Sequence, residues 1–273
     1  MSRTNPHVLL VYYTYTEQTR AVVDVMADVL TERGCEVRQA AIQFTDTRWA
    51  ERFTRLPLRH AFLDILGMAP AQLRGAIGEI VIPDDAKQGD YDLVCVGSPT
   101  WFFRPSVPIR SYLKSDTAGP VLNGKPFAGF VVCRRYWSLN LGSVKKLGSR
   151  QGGQYVGGAH FTFAGGQIRS LLSLISYFGN GENRERYLGV KIPPSLLRPD
   201  FGEWARAFAH QLADGLEVPA QVRAKARRHA TPTPTQRPTN SSRSPDAHRV
   251  SADDHGEAAR GVGRAGQPEE SDR

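Results

Sequence analysis

Six consecutive residues, Thr14-Tyr15-Thr16-Glu17-Gln18-Thr19, carry three threonine hydroxyls, an amide and one acid between an apolar run at 8–13 and an apolar-periodic segment at 21–30. Uncharged hydroxyl donors just ahead of a helix, whose first N–H groups lack acceptors, make a phosphate seat; the plainer reading is a threonine-rich cap on an ordinary strand-to-helix turn. A second stretch, Ser98-Pro99-Thr100-Trp101-Phe102-Phe103, places three consecutive aromatics behind another apolar run, 91–97. Loops lie on the surface, so exposed Trp and Phe call for a cover, either a stacked planar ligand or a local hydrophobic cluster. A third stretch, Arg134-Arg135-Tyr136, adds two guanidinium groups and a ring after the apolar run 125–133. The two arginines read equally as anion donors or as solvated surface charge.

These residues need elements to position them. Residues 8–13 are apolar without alternation, as in a strand buried on both faces of a parallel sheet. Val22, Val25, Met26, Val29 and Leu30 follow at helical spacing, and Gly34 suits the left-handed position that closes a helix. A second strand is expected from Glu36 to Phe44, a short one at 80–82, and buried parallel strands at 91–97, 125–133 and 154–163. Between them, Ser106 can cap a helix bearing Ile109, Tyr112 and Leu113, and Val144 and Leu147 mark another. Ile168, Leu171, Leu172, Ile175 and Phe178 form a helical stripe, and Trp204, Phe208 and Leu212 a closing helix; either helix is suited to cover the last strand. This alternation implies an α/β fold with a doubly wound, five-stranded parallel sheet and helices on both faces.

The first loop, Thr14-Tyr15-Thr16-Glu17-Gln18-Thr19, resembles the Ser/Thr-x-Thr-x-x-Thr phosphate loop of the flavodoxin-like family, which includes FMN-binding flavodoxins and NAD(P)H-dependent FMN oxidoreductases. Gly97-Ser98-Pro99-Thr100-Trp101 is similar to the family loop that packs against the isoalloxazine, with Phe102 and Phe103 behind it. The resemblance covers roughly residues 7–215 and implies strand order 2-1-3-4-5, with ligands at the switch point beside strands 1 and 3. It implies FMN as cofactor, held at its phosphate by Thr14 to Thr19 and at its ring by Ser98 to Phe103. Arg134, Arg135 and Tyr136 lie on the third family loop, where the cations favour a reduced flavin or a nicotinamide phosphate. One departure stands out: many relatives have glycine where this chain has Glu17, and an inward-facing acid there would repel phosphate. The implied function is electron transfer or flavin-dependent oxidoreduction, with NAD(P)H or an acidic redox partner as further partners. The alternative is a flavodoxin-fold protein without FMN, serving as a binding or biosynthetic accessory module. No residue is singled out as catalytic.

The 273 residues read as a domain at 1–228 and a tail at 229–273. The tail opens on Thr231-Pro232-Thr233-Pro234, lacks aromatics, Leu, Ile and Met, and is expected to be disordered. A helical insertion is expected at about 46–75, where Arg48, Arg52, Arg55 and Arg59 share a face, either solvated or a docking surface for an anionic partner. The tail holds six Arg against seven acids, and residues 1–228 hold 29 Lys and Arg against 20 acids, so the basic surplus belongs to the body. No nucleic-acid motif accompanies that charge, no metal-ligand spacing is seen, and no apolar run approaches the roughly 20 residues that span a bilayer. Cys35, Cys95 and Cys133 are far apart and read as buried residues of a reducing compartment, so a cytoplasmic location is expected.

Overall fold

The computed structural model describes residues 5–49 and 57–217. The expected tail and two arginines of the insertion, Arg52 and Arg55, lie outside these residues. β1 (His7–Tyr12) is the centre of the chain: Val8, Leu10 and Tyr12 turn to one hydrophobic cluster, Leu9 and Val11 to another. Apolar side chains on both faces are why this strand shows no polar alternation. α1 (Gln18–Glu32) buries Val22, Val23, Met26, Val29 and Leu30. It closes at Gly34, φ +80°, where the Cys35 N–H reaches the Leu30 carbonyl at 2.9 Å and the Gly34 N–H the Thr31 carbonyl at 2.9 Å. That pair of bonds is a Schellman cap, and it needs the left-handed residue that glycine supplies.

β2 (Glu36–Ala41) pairs in parallel with β1, Val37 opposite Val8. The strand expected to reach Phe44 stops at Ala41. β1 ends at Tyr12, whose carbonyl accepts the Ile42 N–H at 2.8 Å, and beyond it there is no parallel partner. β3 (Gln43–Phe44) turns instead to pair antiparallel with β4 (Ile80–Val81), across the insertion that contains α2 (Ala61–Leu73). β5 (Leu93–Trp101) runs beyond the expected 91–97 and folds back as β6 (Arg104–Pro105). α3 (Val107–Lys114) and α4 (Ala118–Leu122) follow, then β7 (Pro126–Cys133), α5 (Trp137–Arg150) and β8 (Gln154–Thr162). α6 (Gln167–Asn180), the small hairpin of β9 (Arg186–Tyr187) and β10 (Val190–Lys191), and α7 (Phe201–Glu217) complete the described chain.

The main sheet has the order β2-β1-β5-β7-β8 with every neighbour parallel, and β6 alone pairs antiparallel, on β5. Counting the five parallel strands in sequence, this is 2-1-3-4-5, the flavodoxin-like arrangement. α1 and α7 cover one face through Met26, Leu30, Phe208 and Leu212, while α3, α4 and α5 cover the other through Ile109, Tyr112, Val121 and Val144. Gly97 is required at the centre, because a Cβ there would stand 2.2 Å from the ring of Phe130. α7 is the helix that packs on β8, whereas α6 packs on α2. The expected stripe of α6 is split: Leu172, Ile175 and Phe178 are half-buried, Ile168 is 77% and Leu171 49% exposed, and Ser170, Ser173 and Ser176 are buried. No helix among the described residues is long and apolar enough to cross a membrane.

A buried polar junction ties α2 to the sheet. The Arg110 guanidinium of α3 donates to the carbonyls of Gln72 at 3.1 Å and Ala76 at 2.8 Å, and to Gln72 Oε1. It therefore sits on the C-terminal end of α2, where carbonyls lack helical partners and the dipole is negative. Burial, with Arg104 nearby, brings its pKa down to about 10, so it keeps its charge at neutral pH. Replacing Arg110 by Met should leave these carbonyls and Gln72 Oε1 unpaired, costing roughly 2–4 kcal/mol in denaturant unfolding. An unfolding midpoint within error of wild type would show that the junction does not hold α2.

Candidate functional site

β1 and β5 are neighbours in register, Tyr12 opposite Gly97, so the chain leaves both strands at the same carboxyl edge. β7 runs beside β5, Gly97 opposite Phe130, and delivers the third loop to that edge. A cavity of about 360 Å³ opens there, within the range of small-molecule sites. Twelve of the fifteen residues expected at the site line it: all but Thr14, Glu17 and Ser98.

The first loop supplies Thr16 and Thr19 to the wall, beside the start of α1, which no side chain caps and whose first turn holds no acid. The first-turn N–H groups of α1 are thus without intrahelical acceptors. The Thr14 hydroxyl does not line the cavity but is buried, with no hydrogen-bond partner among the described residues. Glu17 takes the left-handed conformation, φ 58°, which explains why glycine suits this position. Its carboxylate points out of the cavity and pairs with Arg20 at 3.2 Å, which removes the repulsion its sequence position suggests. Gln18 is partly structural: Oε1 accepts the Leu197 N–H at 3.0 Å and Nε2 donates to the Thr16 carbonyl at 3.2 Å, tying the loop to the 192–200 connector.

The aromatic stretch is a hairpin rather than the expected loop. Trp101 ends β5, Arg104 faces it on β6, and Phe102 and Phe103 form the two-residue turn at φ 47° and 69°. Gln72 Nε2 holds this hairpin against α2 by donating to the carbonyls of Trp101 at 2.9 Å and Pro105 at 2.6 Å. Trp101 is anchored edge-on to Tyr13, 5.6 Å between centroids, and to Phe44 at 6.3 Å, so it joins a hydrophobic cluster and presents only part of its surface to the cavity. The free rings are Phe103 and Tyr136, each 45% exposed and in T-shaped contact at 5.1 Å. Ser98 is fully buried and its Oγ accepts the Ser106 N–H at 3.1 Å, so it fixes the start of α3 and does not line the cavity. Ser106 occupies the cap position of α3 without a side-chain capping bond. Thr100 is held by Asn140 of α5, whose Nδ2 donates to Oγ1 at 2.6 Å.

On the third loop the two arginines differ. Arg134 folds under the cavity, donating Nε to the Ser170 carbonyl at 2.9 Å and Nη2 to Ser195 Oγ at 2.8 Å, with its guanidinium 4.1 Å from the Phe163 ring. Arg135 is exposed, 5.7 Å from the Tyr136 ring. Burial pushes the Tyr15 phenol and the Cys133 thiol each up to about 12 and brings Arg134 down to about 10. At neutral pH the first two are neutral, and Arg134 stays charged. No His, Asp, Glu or Lys lines the cavity among the described residues.

The roof has no counterpart among the residues expected at the site. Ile65 and Met68 of α2 and Leu171, Leu174 and Phe178 of α6 close the cavity from above. Their apolar spacing is indistinguishable in sequence from a core stripe. Asn140 carried no signal either, since an amide in an amphipathic helix is commonplace.

No family model matches the chain, and no curated protein does. Among solved structures the chain is similar to a flavoprotein from Lactobacillus acidophilus NCFM in complex with FMN, at 18% identity and TM-score 0.43 over 57% of this chain and 93% of that one. It is also similar to flavodoxin 1 from Bacillus cereus, at 12% identity and TM-score 0.43 over 77% and 98%, and to a flavodoxin from the domain Archaea, at 9% and 0.42 over 78% and 99%. Scores this low carry no weight beside the strand order. The chain has a flavodoxin-like α/β fold, since its parallel sheet runs 2-1-3-4-5 and its cavity lies at the β1/β5 switch point.

Replacing Glu17 by Gly should relieve the left-handed strain and raise stability by about 1 kcal/mol, since the exposed Arg20 pair contributes little. Thermal unfolding checks this; a lower melting temperature would mean that the Glu17–Arg20 pair, not the backbone, decides the loop.

Proposed function

We propose that the protein binds FMN in this cavity and acts as a flavin-dependent oxidoreductase. The observation that carries the reading is the convergence of three separate loops, one with hydroxyl and helix N–H donors, one with aromatic rings and one with a half-buried cation, on a single roofed cavity. The donors suit the phosphate: Thr16, Thr19 and the uncapped start of α1 present neutral N–H and O–H groups. The ring edge would meet Phe103 and Tyr136, with Trp101 as a fixed wall behind them. When bound, FMN supplies the two-electron chemistry that the lining side chains cannot.

The chain's own residues bind, orient and exclude water. Arg134 holds a positive charge against the cavity with no carboxylate among its hydrogen-bond partners in the described residues, a placement that favours negative charge on a bound ring or on a nicotinamide phosphate. Asn140 fixes Thr100, and Gln72 fixes the hairpin, so the first-contact groups are positioned by buried partners. The apolar roof of α2 and α6 favours an oxidoreductase acting on a small enclosed substrate over a carrier with an open flavin edge. NAD(P)H or an acidic redox partner would supply the electrons, consistent with the basic body. The FMN-free reading rested on Glu17, whose carboxylate pairs outward with Arg20.

The purified full chain should be yellow, releasing FMN and not FAD on denaturation. Colourless protein that takes up no added FMN would overturn the reading. Tyr136→Asn keeps a residue that tolerates the left-handed backbone at φ 59° but removes the ring. It should weaken FMN binding by roughly 1–3 kcal/mol, the scale of base–aromatic stacking, with the melting temperature unchanged. Unaltered FMN titration would exclude Tyr136 from the ring contact.

A further inference from the structure

We propose that the outward face of α2, α6 and the β9–β10 hairpin docks on an anionic lipid bilayer surface. A helix on a soluble protein ordinarily turns its apolar stripe inward. Both roofing helices break that pattern. α2 exposes Phe62, Leu63, Leu66 and Leu73 at 58, 64, 53 and 50%, and its one charged residue is Asp64. α6 buries Ser170, Ser173 and Ser176 and exposes Ile168, with Arg169 as its one charge.

The two helices pack on each other, so their outer faces adjoin. A shallow depression lined by Arg59, Phe62, Leu63, Ile175, Arg184 and Tyr187 connects them to the hairpin. At the hairpin tip Leu188 is 80% exposed and held at φ 49°, with Val190 beside it 40% exposed. Contiguous exposed apolar surface of this kind marks a docking face.

Charge decides the occupant. Across residues 57–77 and 167–191, Arg59, Arg74, Arg169, Arg184, Arg186 and Lys191 stand against Asp64, Glu182 and Glu185. Protruding Leu and Phe flanked by Arg and Lys match an interface in which apolar side chains enter the acyl boundary and cations meet phosphate headgroups. An acidic protein would answer the arginines but not the isolated Leu188 finger. The proposal stands independently of FMN binding.

The test is sedimentation of the full chain with phosphatidylcholine vesicles and with vesicles of phosphatidylcholine and phosphatidylglycerol in equal amounts. Binding is expected to the anionic vesicles at low salt, falling as salt rises, and weakly to the neutral ones. The triple variant Phe62→Glu/Leu66→Glu/Leu188→Glu should lose on the order of tenfold or more in partitioning, with an unchanged melting temperature because all three side chains are exposed. Should that variant fail to fold, Arg184→Glu/Arg186→Glu must show a comparable loss. Absence of binding to anionic vesicles overturns the proposal. So does binding that the variants leave unchanged, which would assign it to the basic body at large. A wild-type dimer that the triple variant converts to monomer without vesicles also overturns it, assigning the face to a second copy of the chain.

Discussion

The parallel pairing of β1 with β5 is the constraint on which the rest depends. Its register sets Tyr12 against Gly97, and the close approach of Phe130 to Gly97 allows no other residue there without a clash. Both strands therefore end together, and the loops that follow leave in the same direction. Because the chain order reverses between these strands, no crossover helix fills the gap above them. The cavity is a consequence of topology before any side chain is considered. β7, locked to β5 on the other side, brings Arg134 to the same edge.

What distinguishes this chain is how that edge is covered. α2 packs along α6 and buries Ala61 and Met68, and it is tied down at its C-terminal end, where Arg110 satisfies two carbonyls and Gln72 bridges to the hairpin. A guanidinium is suited to this, since its planar fork serves several acceptors at once and stays charged when buried. The same Gln72 amide donates to both hairpin strands, so the roof and the aromatic wall are one mechanical unit. Movement of α2 would carry Trp101 and Pro105 with it. Asn140 plays the parallel part from α5, holding Thr100.

Much of this was legible in the sequence because it follows from local periodicity. The five parallel strands could be read from apolar runs, while their order and the three loops that supply twelve of the lining residues were implied by the resemblance to the flavodoxin-like family. The misreadings share one physical cause: they depend on partners distant in sequence. Phe44 left the second strand because β1 had already ended, not because of anything between residues 36 and 44. Trp101 extended β5 because Arg104 and Gln72 were there to pair with it. α6 shows the limit most clearly. Helical spacing identifies an apolar face but cannot say what it meets, and here Leu171 and Phe178 face the cavity, Ile168 faces solvent, and Ser170, Ser173 and Ser176 are buried. Of the insertion's four arginines, Arg52 and Arg55 lie outside the described residues, Arg48 is bound to Asp46, and Arg59 lines the depression beside Phe62.

Backbone strain marks the same place that topology does. Among the described residues, five non-glycine residues have positive φ, and Glu17, Phe102, Phe103 and Tyr136 are four of them. They fall on the three loops that converge on the cavity, at least one on each. Each such residue costs on the order of 1–3 kcal/mol and persists only where its surroundings over-determine it. A fold indifferent to these loops would place glycine at such turns, as it does at Gly34, Gly124 and Gly181. Retaining bulky side chains in left-handed turns at Phe102, Phe103 and Tyr136 aims rings at one edge of the sheet. The fifth residue, Leu188, is the exposed tip of the β9–β10 hairpin, where the same device holds an apolar side chain out into solvent. Strain is thus spent in two places, one facing the cavity and one facing outward, and in both it presents apolar surface that the core does not use.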